Sequence, residues 1–135
     1  MNELTVYSNK DNLDKVFEFI EDTLDNSDIS PKCKMQLELA AEEIFVNIVN
    51  YAYDKDGEVT IRKEVLPDLN SISITFIDSG IEFNPLIKET PDLSLSADER
   101  PIGGLGILLI EKNVDSVSYE YLQDKNHLTI IKKLF

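Results

Sequence analysis

Two pairs of alternating segments, each closed by a short turn, restrict this chain more than any other feature. Glu58–Leu66 and Ser71–Ile77 place apolar side chains largely at alternate positions, as strands with one buried face do. Only Pro67-Asp68-Leu69-Asn70 separates them. Ser116–Leu122 and Leu128–Leu134 repeat the pattern across a turn expected at Asp124–Asn126. Connections this short join antiparallel neighbours, because a parallel pair needs a crossover of about a dozen residues or more.

The segments between them read as helices. Ser30-Pro31 starts one: serine accepts N–H bonds at the N-cap, and proline suits the first turn. This helix is expected to run to about Tyr51 or Tyr53, with Leu37, Ala41, Ile44 and Ile48 as its apolar stripe. An earlier helix, capped at Asn9 or Asp11, carries Leu13, Val16, Phe17, Ile20 and Leu24 and is broken by Asp25–Asp28. Leu4–Tyr7 is a short strand, and Asp56-Gly57 marks a turn. Asn84–Ile102 contains Pro85, Pro91 and Pro101 without a period, a long loop of the kind that often serves function. Gly103–Asn113 runs from loop into helix. This order predicts an α+β two-layer sandwich, a mostly antiparallel mixed sheet with helices on one face. A single domain over residues 1–135 is expected, since no repeat, low-complexity segment or linker interrupts it.

With 42% apolar residues, the 135-residue chain has enough material for a core. Its 26 acidic and 13 basic residues give a formal net charge of −13. That charge repels phosphate backbones and anionic lipid, so neither nucleic acid nor a membrane is expected as partner. Any anionic ligand must be met by backbone N–H groups, a helix N-terminus or a metal cation. Cys33 is the single cysteine, which excludes an internal disulfide, and His127 is the single histidine, which excludes a His-rich zinc site. The N-terminus lacks a signal-like apolar core, and no apolar run reaches bilayer length. A reducing cytoplasm is the expected location.

Three segments carry chemistry. Glu43 and Asn47 lie four residues apart and share a helix face at the border of the apolar stripe. There a carboxylate can accept a proton and an amide oxygen can ligate Mg²⁺. Asp78 ends an apolar strand, with Gly80 two residues on. Such a carboxylate can accept the amine of adenine, and glycine permits close backbone approach or a positive φ. Gly103, Gly104 and Gly106 open a helix, which makes an anion site of bare backbone and helix N-terminus. This is neither a Walker loop, since no G-K-[ST] follows, nor G-x-G-x-x-G, since Leu109 holds the third position. Each segment alone is ordinary: polar i,i+4 pairs, Asp-x-Gly turns and glycine hinges are common.

Together and in this order they are much more specific. Glu-x-x-x-Asn on a long helix, Asp-x-Gly after a strand and Gly-Gly-Leu-Gly-Ile opening a helix resemble the Bergerat-fold (GHKL) ATPases. The phrases AAEEIFVNIVNYAY, DSGIEFNP and GGLGILLIEKNVDSVSY are similar to the small bacterial serine kinases that act as anti-sigma factors, over Ser30 to Phe135. The resemblance implies ATP and Mg²⁺ as cofactors and a role for each matching residue. Glu43 is implied as the general base, Asn47 as the Mg²⁺ ligand, and Asp78 as the acceptor for the adenine amine with Gly80 beneath the base. Gly103, Gly104 and Gly106 would cradle phosphate, Arg100 would reach the γ-phosphate, and Thr129 would back the adenine pocket. Glu82 departs from the pattern: the superfamily often has glycine there and the serine-kinase branch proline.

By the same resemblance, the chain is expected to be a homodimeric protein serine/threonine kinase. It would phosphorylate a small antagonist protein and alternately bind a sigma factor. A non-catalytic nucleotide-binding switch is the alternative. The catalytic half of a histidine kinase fits less well, because no dimerisation helix carries an acceptor histidine.

Overall fold

The serine at position 30 does what its place before a proline implies. Its Oγ accepts the Cys33 N–H at 3.1 Å, and Pro31 begins a 21-residue helix, α2 (Pro31–Tyr51). The computed structural model describes residues 2–24, 29–53, 57–86 and 104–134. Ahead of α2 lie β1 (Glu3–Tyr7), a 3-10 turn whose N-cap Asn9 accepts the Asp11 N–H, and α1 (Leu13–Leu24). After it come β2 (Glu58–Leu66), β3 (Ser71–Asp78), α3 (Gly104–Asn113), β4 (Ser116–Leu122) and β5 (Lys125–Lys133).

The strands form one five-stranded sheet in the order β1-β2-β3-β5-β4. Every pairing among them is antiparallel, in line with the mostly antiparallel sheet expected. The reason is that β5, folded back from β4 by a tight turn, inserts between β3 and β4, so these two strands, which point the same way, never touch. Val59, Ile61, Ile72, Ile74, Phe76, Leu128 and Ile130 supply the sheet side of the core. Val16, Ile20, Leu37, Ala41, Ile44, Phe45, Ile107 and Ile110 pack on them from the helices, giving the α+β two-layer arrangement. Lys63 anchors α1 to this layer: its buried Nζ donates to the Phe19 carbonyl at 2.6 Å and lies 4.1 Å from the Phe19 ring centre. Among the described residues no helix is long and apolar enough to cross a membrane.

The last hairpin differs from expectation in a way that matters for the site. The turn was expected at Asp124–Asn126, but Gln123 and Asp124 form it alone, both with positive φ (52° and 60°). Two left-handed residues between paired strands are the geometry whose twist suits a two-residue hairpin. Asn126 therefore belongs to β5, paired with Tyr121 on one side and Asp78 on the other.

Candidate nucleotide site

A cavity of about 280 Å³ opens where the C-terminal half of α2, the helix α3 and the ends of β3 and β5 converge. Ile48, Ile107, Ile110 and Leu128 give it apolar walls, and Asn47, Asp78 and Asn126 are among its polar lining groups. Ile81 and Phe83, 71% and 49% exposed, stand at the chain segment that follows β3. Apolar walls with a few directed polar groups suit a flat heterocycle carrying hydrogen-bonding edges.

Asp78 is buried, and its Oδ1 accepts two bonds: from the Gly80 N–H at 2.9 Å and from the Asn126 amide at 3.0 Å. Among the described residues both of its hydrogen bonds fall on Oδ1, which leaves Oδ2 as the acceptor available to a ligand. Burial pushes the Asp78 carboxyl above its ordinary range, while the bonds from Asn126 and Gly80 pull in the opposite direction.

Gly80 has a definite steric reason. A Cβ built there would lie 2.3 Å from the Ala52 carbonyl oxygen, just past the end of α2. The close approach expected of this glycine is thus to the protein's own backbone, and it lets the segment after β3 lie against the helix end. Tyr53 holds the same corner: its hydroxyl accepts the Ser79 N–H at 2.6 Å and donates to the Glu58 carbonyl at 2.8 Å. Gly80→Ala is expected to destabilise the fold by about 3 kcal/mol, because backbone cannot yield as a flexible side chain does. In a thermal melt this is a fall of about 10 °C; an unchanged midpoint would show that the helix end yields.

The sequence-derived residues distribute unevenly around this cavity. Asn47 and Asp78 are in its wall, and Gly80 sits at its edge, accepting a long 3.5 Å contact from Asn126. Glu43, half-buried, is one helical turn before Asn47 on the same face of α2 and is not itself a lining residue. Gly104 and Gly106 form the first turn of α3, the helix that contributes Ile107 and Ile110 to the wall. Arg100 and Gly103 lie outside the described residues, as does most of the long loop.

Thr129 requires correction. In the β3–β5 register Thr129 pairs with Thr75 and bonds its hydroxyl at 2.9 Å, so both face away from the helices. Thr129 lines a separate polar groove with Arg62, Ser118 and His127 on the outer face of the sheet. The β5 residue beside Asp78 is Asn126, and with Tyr119, whose hydroxyl bonds Asn126 Oδ1, it was absent from the sequence-based set. A turn assigned to Gln123-Asp124 would have placed Asn126 in the strand, on the inward side with Leu128 and Ile130.

A family model described as the histidine kinase-like ATPase domain matches residues 6–132. The chain is 28% identical over 101 residues to the serine/threonine-protein kinase BtrW of Bordetella bronchiseptica, spanning 75% of this chain and 71% of that protein. It is 30% identical over 91 residues to the serine-protein kinase RsbW of Listeria monocytogenes, covering 63% of this chain and 57% of RsbW. Among solved structures, the RsbU and RsbW domains of a Mycobacterium tuberculosis protein superpose with a TM-score of 0.68 at 14% identity. That superposition covers 99% of this chain and 33% of the other. A blue-light activated histidine kinase of Erythrobacter litoralis superposes with a TM-score of 0.58 at 15% identity, over 79% of this chain and 32% of that one. With the family model spanning nearly all of the sheet and all three described helices, this chain belongs to the histidine kinase-like ATPase family.

Proposed function

We propose that this protein is an ATP-dependent protein serine/threonine kinase of the anti-sigma type. The observation that carries the reading is the buried Asp78 carboxylate, held through Oδ1 by Gly80 and Asn126, in the wall of an apolar cavity that Asn47 also lines. Adenine enters between the apolar walls and donates its amine to Asp78. The triphosphate runs toward Asn47 and the N-terminus of α3, whose first turn holds Gly104 and Gly106, with Gly103 assigned to the same phosphate cradle by the resemblance. The resemblance assigns Arg100, outside the described residues, to the γ-phosphate. Asn47 offers the hard oxygen donor that Mg²⁺ takes, and the ion, when bound, neutralises charge on the phosphates. That neutralisation matters in a chain whose formal net charge is −13.

Glu43 takes the proton from the acceptor serine hydroxyl. The serine oxygen forms a bond to the γ-phosphorus as the bond from that phosphorus to the bridging oxygen breaks, and ADP leaves. The acceptor is a small antagonist protein, the alternative partner a sigma factor, and the kinase acts as a homodimer in the cytoplasm. Purified protein is incubated with γ-labelled ATP, Mg²⁺ and an acceptor captured from the native host, with nucleotide binding measured in parallel. Label on an acceptor serine is expected. Bound nucleotide without transfer would replace the kinase by a non-catalytic switch, and absence of nucleotide binding would end both readings.

A further inference from the structure

Asn126 is buried, yet every bonding position of its amide is used. Nδ2 donates to Asp78 Oδ1 at 3.0 Å and to the Ile81 carbonyl at 2.8 Å, with Gly80 O a longer third acceptor. Oδ1 accepts the Phe83 N–H at 3.1 Å and the Tyr119 hydroxyl. The partners decide which end is which: the nitrogen faces only acceptors and the oxygen only donors, so a flipped amide would lose these bonds. An amide this fully engaged has nothing left for a ligand, and its influence must pass through what it holds.

It holds two things that bear on a bound base. One is the oxygen of Asp78 that does not meet the ligand. With only the Gly80 N–H on Oδ1, the carboxyl group could turn about its terminal torsion, which is soft. The second bond fixes its plane. The other is the segment carrying Ile81 and Phe83, tied at Ile81 O and Phe83 N to a β5 residue across 45 and 43 positions of chain.

We infer that Asn126, braced by Tyr119, is the positioning residue for base selectivity: it orients Asp78 so that Oδ2 meets the exocyclic amine of adenine. The inference rests on the nucleotide reading of the cavity. It concerns discrimination between bases, which a purely structural role would not affect selectively.

The test compares ATP with ITP, which keeps the ribose and triphosphate and replaces the amine with a carbonyl. Dissociation constants for both are measured by calorimetry on the wild type, Asn126→Ser and Tyr119→Phe, with thermal melts of each protein alone. Serine is too short to hold Asp78, Ile81 and Phe83 together. Asn126→Ser is expected to lose about tenfold more affinity for ATP than for ITP, the worth of a well-placed bond to a charged group. Release of the Ile81–Phe83 segment weakens both nucleotides alike, so the ATP preference collapses whatever that shared loss is. Tyr119→Phe should shift the preference in the same direction by less, and decides the matter if the serine variant does not melt cooperatively. Equal weakening of both nucleotides, or an unchanged ATP preference in the folded variants, would overturn the inference. A wild type that binds neither nucleotide would instead remove the reading of the cavity on which it rests.

Discussion

Glu43→Gln is expected to lower phosphoryl transfer by about 10²–10⁴-fold, the usual contribution of a positioned general base, while ATP affinity survives. The separation follows from position. Glu43 lies on α2 one turn before Asn47, outside the wall of the cavity that would receive the nucleotide base. Glutamine keeps the size and much of the bonding of glutamate but cannot take a proton at neutral pH. Asn47→Ala should behave differently, losing Mg²⁺-dependent affinity as well as rate, since an amide oxygen at the wall would hold the ion against the phosphates. The checks are label transferred to the acceptor and nucleotide affinity measured on the same preparations. Transfer at the wild-type rate by Glu43→Gln would leave the half-buried carboxylate as part of an ordinary helix border.

Asp78→Asn should weaken ATP binding by about 10- to 100-fold, because the amine loses a charged acceptor in a desolvated site. The fold should not weaken with it. Burial holds the Asp78 pKa above its unfolded value, so this carboxyl contributes most to stability when protonated. That contribution is complete below the unfolded carboxylate range and is lost as pH rises through the raised folded pKa. Wherever the carboxyl is ionised, its buried charge is a cost that asparagine removes. A melting temperature equal to or above that of the wild type, with binding lost, is the expected pair of results. Loss of both would mean that Asp78 is primarily structural, and unchanged affinity would remove the adenine assignment.

Local chemistry explains which parts of the molecule were readable in the chain. The start of α2 is written in Ser30 and Pro31, and the Ser30 side chain makes the bond its type favours. β2 and β4 have the bounds their alternation suggests, Glu58–Leu66 and Ser116–Leu122. Asp78 and Asn47 line one cavity; the expectation that they would converge came from the resemblance of the three motifs to a family, not from the spacing of either motif. Asn126 was hidden because the turn before it carries no glycine. Gln123 and Asp124 adopt positive φ without the residue that usually announces it, so the strand looked shorter at its start. Thr129 was misplaced for a related reason: alternation shows that neighbouring residues face opposite ways, but only the register to β3 shows which of them meets Asp78. The purpose of Gly80 was half legible. Close approach was expected, and the partner, the Ala52 carbonyl, emerges only when helix and strand ends come together.

Asp78 and Asn126 lie 48 residues apart in the chain, and the pairing of β3 with β5 brings them together. The hairpins on either side, β2 with β3 and β4 with β5, are local and can form on a timescale of about microseconds. Joining them must close a much longer loop, and non-local pairings of this kind slow folding. The cavity is therefore completed by a non-local pairing rather than within either hairpin. A nucleotide that requires both residues has nothing to grip in a half-folded chain and cannot template the search. Its effect is expected on the return journey: occupied molecules should unfold more slowly, while new ones should arrive at their native state no faster. Ligand supply then governs how long the folded population persists, leaving the pace of its production to the chain alone.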